Sequence, residues 1–140
     1  MMNEPVSSIM TRKLLTVGPN DTVDKVYDLL TKKGIHHIPV QDDGLLVGLL
    51  TTYDLFKRGL DREKGKSVVV KDIMTTRLAT LEPNAKVGTA AEIFLDHLFH
   101  AIPIVEGAKP NRKLVGIVTT HDLMKYSYRK EYPKEVEKAR

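Results

Sequence analysis

Leu46-Val47-Gly48-Leu49-Leu50-Thr51-Thr52-Tyr53-Asp54-Leu55 returns 68 residues later as Leu114-Val115-Gly116-Ile117-Val118-Thr119-Thr120-His121-Asp122-Leu123. In both copies an apolar run interrupted by one glycine leads into Thr-x-x-Asp. Upstream the offset is 64. There Ile9-Met10-Thr11 returns as Ile73-Met74-Thr75, and Leu14 and Thr16 as Leu78 and Thr80. Pro19-Asn20 and Val23 return as Pro83-Asn84 and Val87. His36, Ile38 and Pro39 return as His100, Ile102 and Pro103. In all, 18 of 43 aligned positions are identical, so the chain is a tandem repeat. Two copies do not make a solenoid. They imply two similar units packed about a pseudo-twofold axis. The four-residue change of offset falls in loops carrying Gly44, or Gly107 and Pro110, where an insertion is tolerated.

Each repeat reads β-α-β-β-α, an α+β fold class with the two units meeting through their sheets. Leu14–Val17 is a short predicted strand. Gly18-Pro19-Asn20-Asp21 is a turn ending in a helix N-cap. Val23, Val26, Tyr27, Leu29 and Leu30 follow at helical spacing, and Gly34 stops the helix. Ile35–Val40 and Leu45–Leu50 are strands around a Gln41–Gly44 turn. A second helix is expected from Thr51 to about Leu60. The second repeat gives Leu78–Leu81, Val87–Leu98, Phe99–Val105, Leu114–Val118 and Thr120–Tyr126. The expected domains are 1–58 and 70–126, joined by a basic linker at 59–69 and followed by a charged tail at 127–140. About 50 residues bury too little alone, so the units need each other.

The 140 residues are 41% hydrophobic and 29% charged, the composition of a globular protein. No run nears the ~20 apolar residues of a membrane helix, and Met1–Pro5 has no apolar signal core. A cytoplasmic location is expected. The absence of cysteine removes disulfides, thiolate metal sites and cysteine nucleophiles together. Of the net +4, the Lys57–Ser67 segment contributes +3 and Tyr126–Arg140 contributes +2. The excess lies in linker and tail rather than on an aromatic-bearing folded face, so nucleic acid is a weak candidate partner.

The order Met-Thr, Pro-Asn, apolar-His-x-Ile-Pro, then Leu-Val-Gly-apolar-apolar-Thr-x-x-Asp-Leu, present twice, resembles the CBS domain. The chain looks like a stand-alone tandem pair, a Bateman module, over roughly residues 6–58 and 70–126. The resemblance implies a regulatory, energy-sensing module without catalytic residues or a cofactor of its own. It implies clefts between the two units that bind an adenine nucleotide (AMP, ADP or ATP) or S-adenosylmethionine. It also implies a flat homodimer, and a regulated enzyme or transporter acting in trans.

The candidate ligand-binding residues follow from the motifs. Thr51 and Thr119 stand where a strand enters a helix, whose free N–H groups and positive end suit phosphate. Asp54 and Asp122 offer two oxygens that match the cis-diol of a ribose, the role the resemblance assigns them. Thr-x-x-Asp is equally an acidic capping box, and the two roles are compatible. His36 and His37, matched by His100 and Ala101, precede the apolar-Pro pairs Ile38-Pro39 and Ile102-Pro103. By strand alternation His36 shares a face with Ile38, and His37 with Pro39. A metal site is disfavoured, because only His97 and His100 stand three apart, across a helix end. Thr11, Thr16, Thr75 and Thr80 flank the first strand of each repeat, which in the family meets the base edge. Leu14, Leu78, Ile38 and Ile102 are the expected apolar walls. Family members often carry Arg just before the Asp; here Tyr53 and His121 stand there, which disfavours triphosphate more than monophosphate. Lys13 and Arg77 can supply that charge.

Three other function classes compete. A structural or docking homodimer needs no ligand. A nucleic-acid binder would use the basic linker and tail. An enzyme would need a phosphate-cradling glycine loop, a His-Glu-x-x-His or a nucleophile elbow, and the sequence has none of them.

Overall fold

The computed structural model describes residues 2–97 and 99–133. It contains α1 (Val23–Lys33), β1 (His37–Asp42), β2 (Leu45–Thr51), α2 (Thr52–Lys57), α3 (Arg62–Gly65), α4 (Val87–His97), β3 (Ala101–Glu106), β4 (Lys113–Thr119) and α5 (Thr120–Glu131). Short 3-10 turns at Val6–Ser8 and Val70–Asp72 open the two repeats. The fold class is α+β, as expected. Among the described residues no helix is long and apolar enough to cross a membrane.

The compact units do not follow the repeat boundaries. One unit, here the Asp54 unit, comprises Leu15–Leu78 and Gly107–Leu114. The other, the Asp122 unit, takes the chain up to Leu14, Ala79–Glu106, and the chain from Val115 onward. Each Met-Thr segment therefore folds with the strands of the opposite repeat.

In the Asp54 unit, Val23, Val26 and Leu30 form the buried stripe of α1. They pack with Val17, Ile38, Val40, Leu50, Leu55, Val70 and Ile73. β1 and β2 are antiparallel neighbours, with a register shift between Val40 and Gln41. Leu49 and Thr75 exchange two backbone hydrogen bonds of 2.9 Å, which sets the start of the second repeat against β2. Gly48 permits this. A Cβ there would lie 2.5 Å from Met74 Sδ and 3.1 Å from the Thr75 carbonyl oxygen.

The Asp122 unit repeats the device. Thr11 N–H donates to Ile117 at 2.8 Å, and Ile117 N–H returns the bond at 3.0 Å. A Cβ on Gly116 would meet Met10 Sδ at 2.5 Å. Val6, Met10, Ala90, Phe94, Ile102, Ile104 and Val118 make the core. Glu4 ties the N-terminal segment to α5, accepting 2.6 Å bonds from Tyr126 Oη and Lys130 Nζ.

Several sequence expectations are corrected. Leu14–Val17 and Leu78–Leu81 each reduce to one parallel bridge, Val17 to Val40 and Leu81 to Ile104. The N-cap of α1 is Thr22, not Asp21; Asp21 closes the preceding turn by accepting from Gly18 N–H at 2.8 Å. The second helix stops at Lys57 rather than near Leu60, because Gly59 turns the chain at φ 63°. α5 runs past Tyr126 to Glu131, since neither Gly nor Pro intervenes before Pro133. The helix expected over Val87–Leu98 is described to His97; Leu98 and the tail beyond Pro133 lie outside the described residues. The basic segment 59–69 is not free chain. It holds α3, donates Arg62 to Asp28 at 2.8 Å, and accepts Val23 N–H on the Val68 carbonyl at 2.9 Å.

The Gly48 contact is testable. Gly48→Val and Gly116→Val each overfill a strand-to-backbone approach, a change that costs about 1–3 kcal/mol. Urea unfolding should show that loss for both, and wild-type midpoints would contradict the contact.

The Glu4 clasp gives a pH test. The Lys130 and Tyr126 hydrogen bonds lower the Glu4 carboxyl to about 2 from its ordinary 4.5. A depressed folded-state value contributes stability above the ordinary value and loses it as pH falls toward 2. Glu4→Gln should therefore melt below wild type at pH 7, with the gap closing between pH 4.5 and 2. A gap independent of pH would count against the clasp.

Candidate functional site

Each Thr-x-x-Asp folds as a complete capping box at the start of a helix. Thr51 Oγ1 accepts from Asp54 N–H at 3.2 Å, and Asp54 Oδ2 accepts from Thr51 N–H at 3.0 Å. The Thr51 hydroxyl also donates to Oδ2 at 3.1 Å. Thr119 and Asp122 repeat the pattern at 3.1, 2.9 and 3.1 Å. Both carboxylates are buried, at 6% and 5% exposure. Burial of a charge is tolerated here because each is hydrogen-bonded and faces a lysine. Lys57 Nζ is 3.9 Å from Asp54 Oδ1, and Lys125 Nζ is 3.7 Å from Asp122 Oδ1.

The two oxygens of each carboxylate thus differ. Oδ2 has both lone pairs committed to the cap, while Oδ1 keeps acceptor capacity. The two oxygens are therefore not the equivalent pair of acceptors that the sequence suggested. In the Asp122 unit Oδ1 already receives a long bond from Thr11 Oγ1, 3.4 Å. The Met-Thr of the first repeat thereby reaches the Asp of the second.

The remaining candidates divide evenly. The Asp54 unit holds Thr16, His36, His37, Ile38, Pro39, Thr51, Tyr53, Thr75 and Arg77 beside its Asp; the Asp122 unit holds Thr11, Lys13, Thr80, His100, Ala101, Ile102, Pro103, Thr119 and His121. His36 and His100 sit at the helix starts. Their carbonyls accept from Thr52 and Thr120 N–H, each at 3.1 Å. Both side chains are exposed, as are Tyr53, His121, Thr11, Thr75, Lys13 and Arg77. Tyr53 lies under the Lys57 ammonium, 5.4 Å from ring centre to Nζ. Thr16 Oγ1 accepts from Gln41 Nε2 at 2.7 Å, and Thr80 is half-buried.

Ile38 and Ile102, expected as apolar walls of a ligand site, lie inside the cores. Both are fully buried in the cores, because alternation turns them toward α1 and α4. Pro39, Pro103 and Ala101 are buried too. The Pro39 and Pro103 carbonyls accept from Val17 and Leu81 N–H.

One feature of the Asp122 unit was not anticipated. A cavity of about 410 Å³ lies between Ser8–Met10 and α5, with Asp122, Lys125, Tyr126, Arg129 and Lys130 around it. The signal was present as Lys125 and Arg129 four apart on one helix face. Arg129 falls within the segment 127–140 that reads as a charged tail, and Lys125 just before it.

The CBS-domain family model matches residues 6–61 and 70–129. The chain belongs to the CBS-domain family and carries the domain twice. A CBS domain-containing protein of Bacillus subtilis, YhcV, is 31% identical over 118 residues, which span 84% of this chain and 81% of that protein. The chain spans less than half of several longer curated relatives. Among solved structures, CBSX2 in complex with AMP superposes with a TM-score of 0.78 at 29% identity, covering 91% of this chain and 98% of that one; CBSX2 is a protein of Arabidopsis thaliana. The CBS domain pair of MJ0100, in complex with 5′-methylthioadenosine and S-adenosyl-L-methionine, gives 0.76 at 28% identity over 90% of this chain and 97% of that one.

The cap geometry has its own consequence. Asp54→Ala and Asp122→Ala each remove the N3 half of a capping box and should destabilise the unliganded protein by about 0.5–2 kcal/mol in urea unfolding, the range of a lost cap. Stability equal to wild type would show that the boxes do not anchor α2 and α5.

Proposed function

We propose that this chain is a non-catalytic regulatory module that binds an adenosine-containing nucleotide through Asp54 and Asp122. The observation that carries the reading is the divided carboxylate. One oxygen is locked by the helix start and the other keeps acceptor capacity beside a lysine. An acceptor held rigid by its own cap is pre-organised for a sugar hydroxyl. The structural relatives solved with AMP and with S-adenosyl-L-methionine support the same ligand class. Some longer relatives are enzymes in which the match spans about a quarter of the chain, as expected of a regulatory segment attached to a catalytic one.

Calorimetry tests this. AMP should bind more tightly than GMP. Asp54→Ala or Asp122→Ala should weaken AMP by about 1.5–3 kcal/mol at the affected site, the worth of a charge-assisted hydrogen bond. Equal binding of AMP and GMP, or wild-type affinity in the double variant, would overturn the reading.

A docking role is the second reading, favoured by exposed apolar side chains. Phe56 of α2 is 82% exposed, Leu95 of α4 80%, and Met124 of α5 68%. We propose that a second copy of the chain covers them. Light scattering should give a dimer for wild type and a monomer for Phe56→Lys. A monomeric wild type at tens of micromolar would contradict this. The basic-linker route to nucleic acid has less support, because Arg62 and Lys66 are already paired with Asp28 and Glu63.

A further inference from the structure

We propose that the cavity of the Asp122 unit is a phosphate-chain site, in which Lys125 and Arg129 receive the β- and γ-phosphates of a nucleotide whose ribose is on Asp122. The inference rests on the adenosine reading above and adds that the preferred ligand is a di- or triphosphate.

Three observations carry it. The first is the state of the charges around the cavity. Lys130 and Tyr126 are both committed to Glu4, which is therefore spent as a counter-charge. Arg129 has no carboxylate partner among the described residues. Lys125 has only the long approach to Asp122 Oδ1, 3.7 Å. Two cations four apart on a helix face repel unless an anion lies between them. A guanidinium fork beside an ammonium suits a phosphate oxygen cluster.

The second is continuity. Lys125 approaches the oxygen of Asp122 that keeps acceptor capacity for a ribose, and both residues line the same cavity of about 410 Å³. The cation pair begins where the sugar's acceptor stands.

The third is the contrast with the Asp54 unit. The repeat places Lys57, Asp61 and Arg62 opposite Lys125, Arg129 and Lys130. α2 ends at Lys57, Asp61 caps α3 by accepting from Lys64 N–H at 2.8 Å, and Arg62 is bound to Asp28. Among the described residues only α5 carries such a cation pair past its Asp, because α5 has 12 residues where α2 has six. This also supplies what the absence of Arg beside the Asp had seemed to remove.

The test is calorimetry in magnesium-free buffer with AMP and ATP. Wild type should bind ATP about tenfold more tightly than AMP, the effect of added charge-assisted contacts. Lys125→Ala/Arg129→Ala should bring that ratio close to one. The charge-preserving exchange Lys125→Arg/Arg129→Lys should retain most of it, and Lys33→Ala, an exposed cation on α1, should leave it intact. A wild-type ratio of one, or an unchanged ratio in the alanine double variant, overturns the proposal while leaving the adenosine reading standing. Should neither nucleotide bind, the adenosine reading fails and inorganic tripolyphosphate decides. Binding to wild type that is lost in the alanine variant supports the cation site, and no binding or equal binding to both overturns it.

Discussion

The fold depends on two places where one chain segment lies directly against the backbone of another. Met74-Thr75 rests on Gly48, and Met10-Thr11 rests on Gly116. At each, a threonine and a strand residue exchange both backbone hydrogen bonds. A Cβ at either glycine would push the methionine aside and crowd the threonine carbonyl at 3.1–3.2 Å. The pairing takes the opening segment of each repeat away from its own strands and gives it to those of the other. Each core therefore draws residues from both repeats, Val70 and Ile73 in one and Val6 and Met10 in the other.

The same exchange assembles the candidate site. Thr11 reaches Asp122 because Met10 is seated on β4. The Asp itself is placed by its cap, which commits Oδ2 to Thr119, while Oδ1 faces Thr11 and Lys125. Capping uses Oδ2 of each carboxylate, and the ligand role proposed above falls to Oδ1. Asymmetry enters after the cap. α5 is 12 residues long and α2 is six, so only α5 carries cations far enough along its face to frame a cavity.

Much of this was legible in the residues. The 3.6-residue spacing of Val23, Val26 and Leu30 placed α1, and Gly34 ended it. The Leu-Val-Gly runs placed β2 and β4, and the repeated Asp marked both helix starts. What was not legible depended on distant partners. Leu14–Val17 has strand-like residues, but only Val17 forms a bridge, to Val40. The segment 59–69 reads as a linker by charge, yet its Arg62 is paired with Asp28 of α1. Periodicity assigned Ile38 and Ile102 to a face without saying which face was core. A repeat aligned in one dimension cannot report that Met-Thr crosses to the other copy, because both arrangements have the same sequence. The cavity beside α5 was hidden for a similar reason, since its opposite wall is Ser8–Met10, more than a hundred residues away in the chain.

The central claim is that the acceptor-competent oxygen of a capped aspartate holds a ribose hydroxyl. Calorimetric comparison of AMP with 2′-deoxy-AMP on the wild-type protein tests it most directly, because the probe changes only the group that the oxygen would accept. Loss of one charge-assisted hydrogen bond predicts weaker binding of the deoxy nucleotide by roughly tenfold or more. Equal affinity for the two nucleotides would show that Asp54 and Asp122 cap their helices and do nothing further.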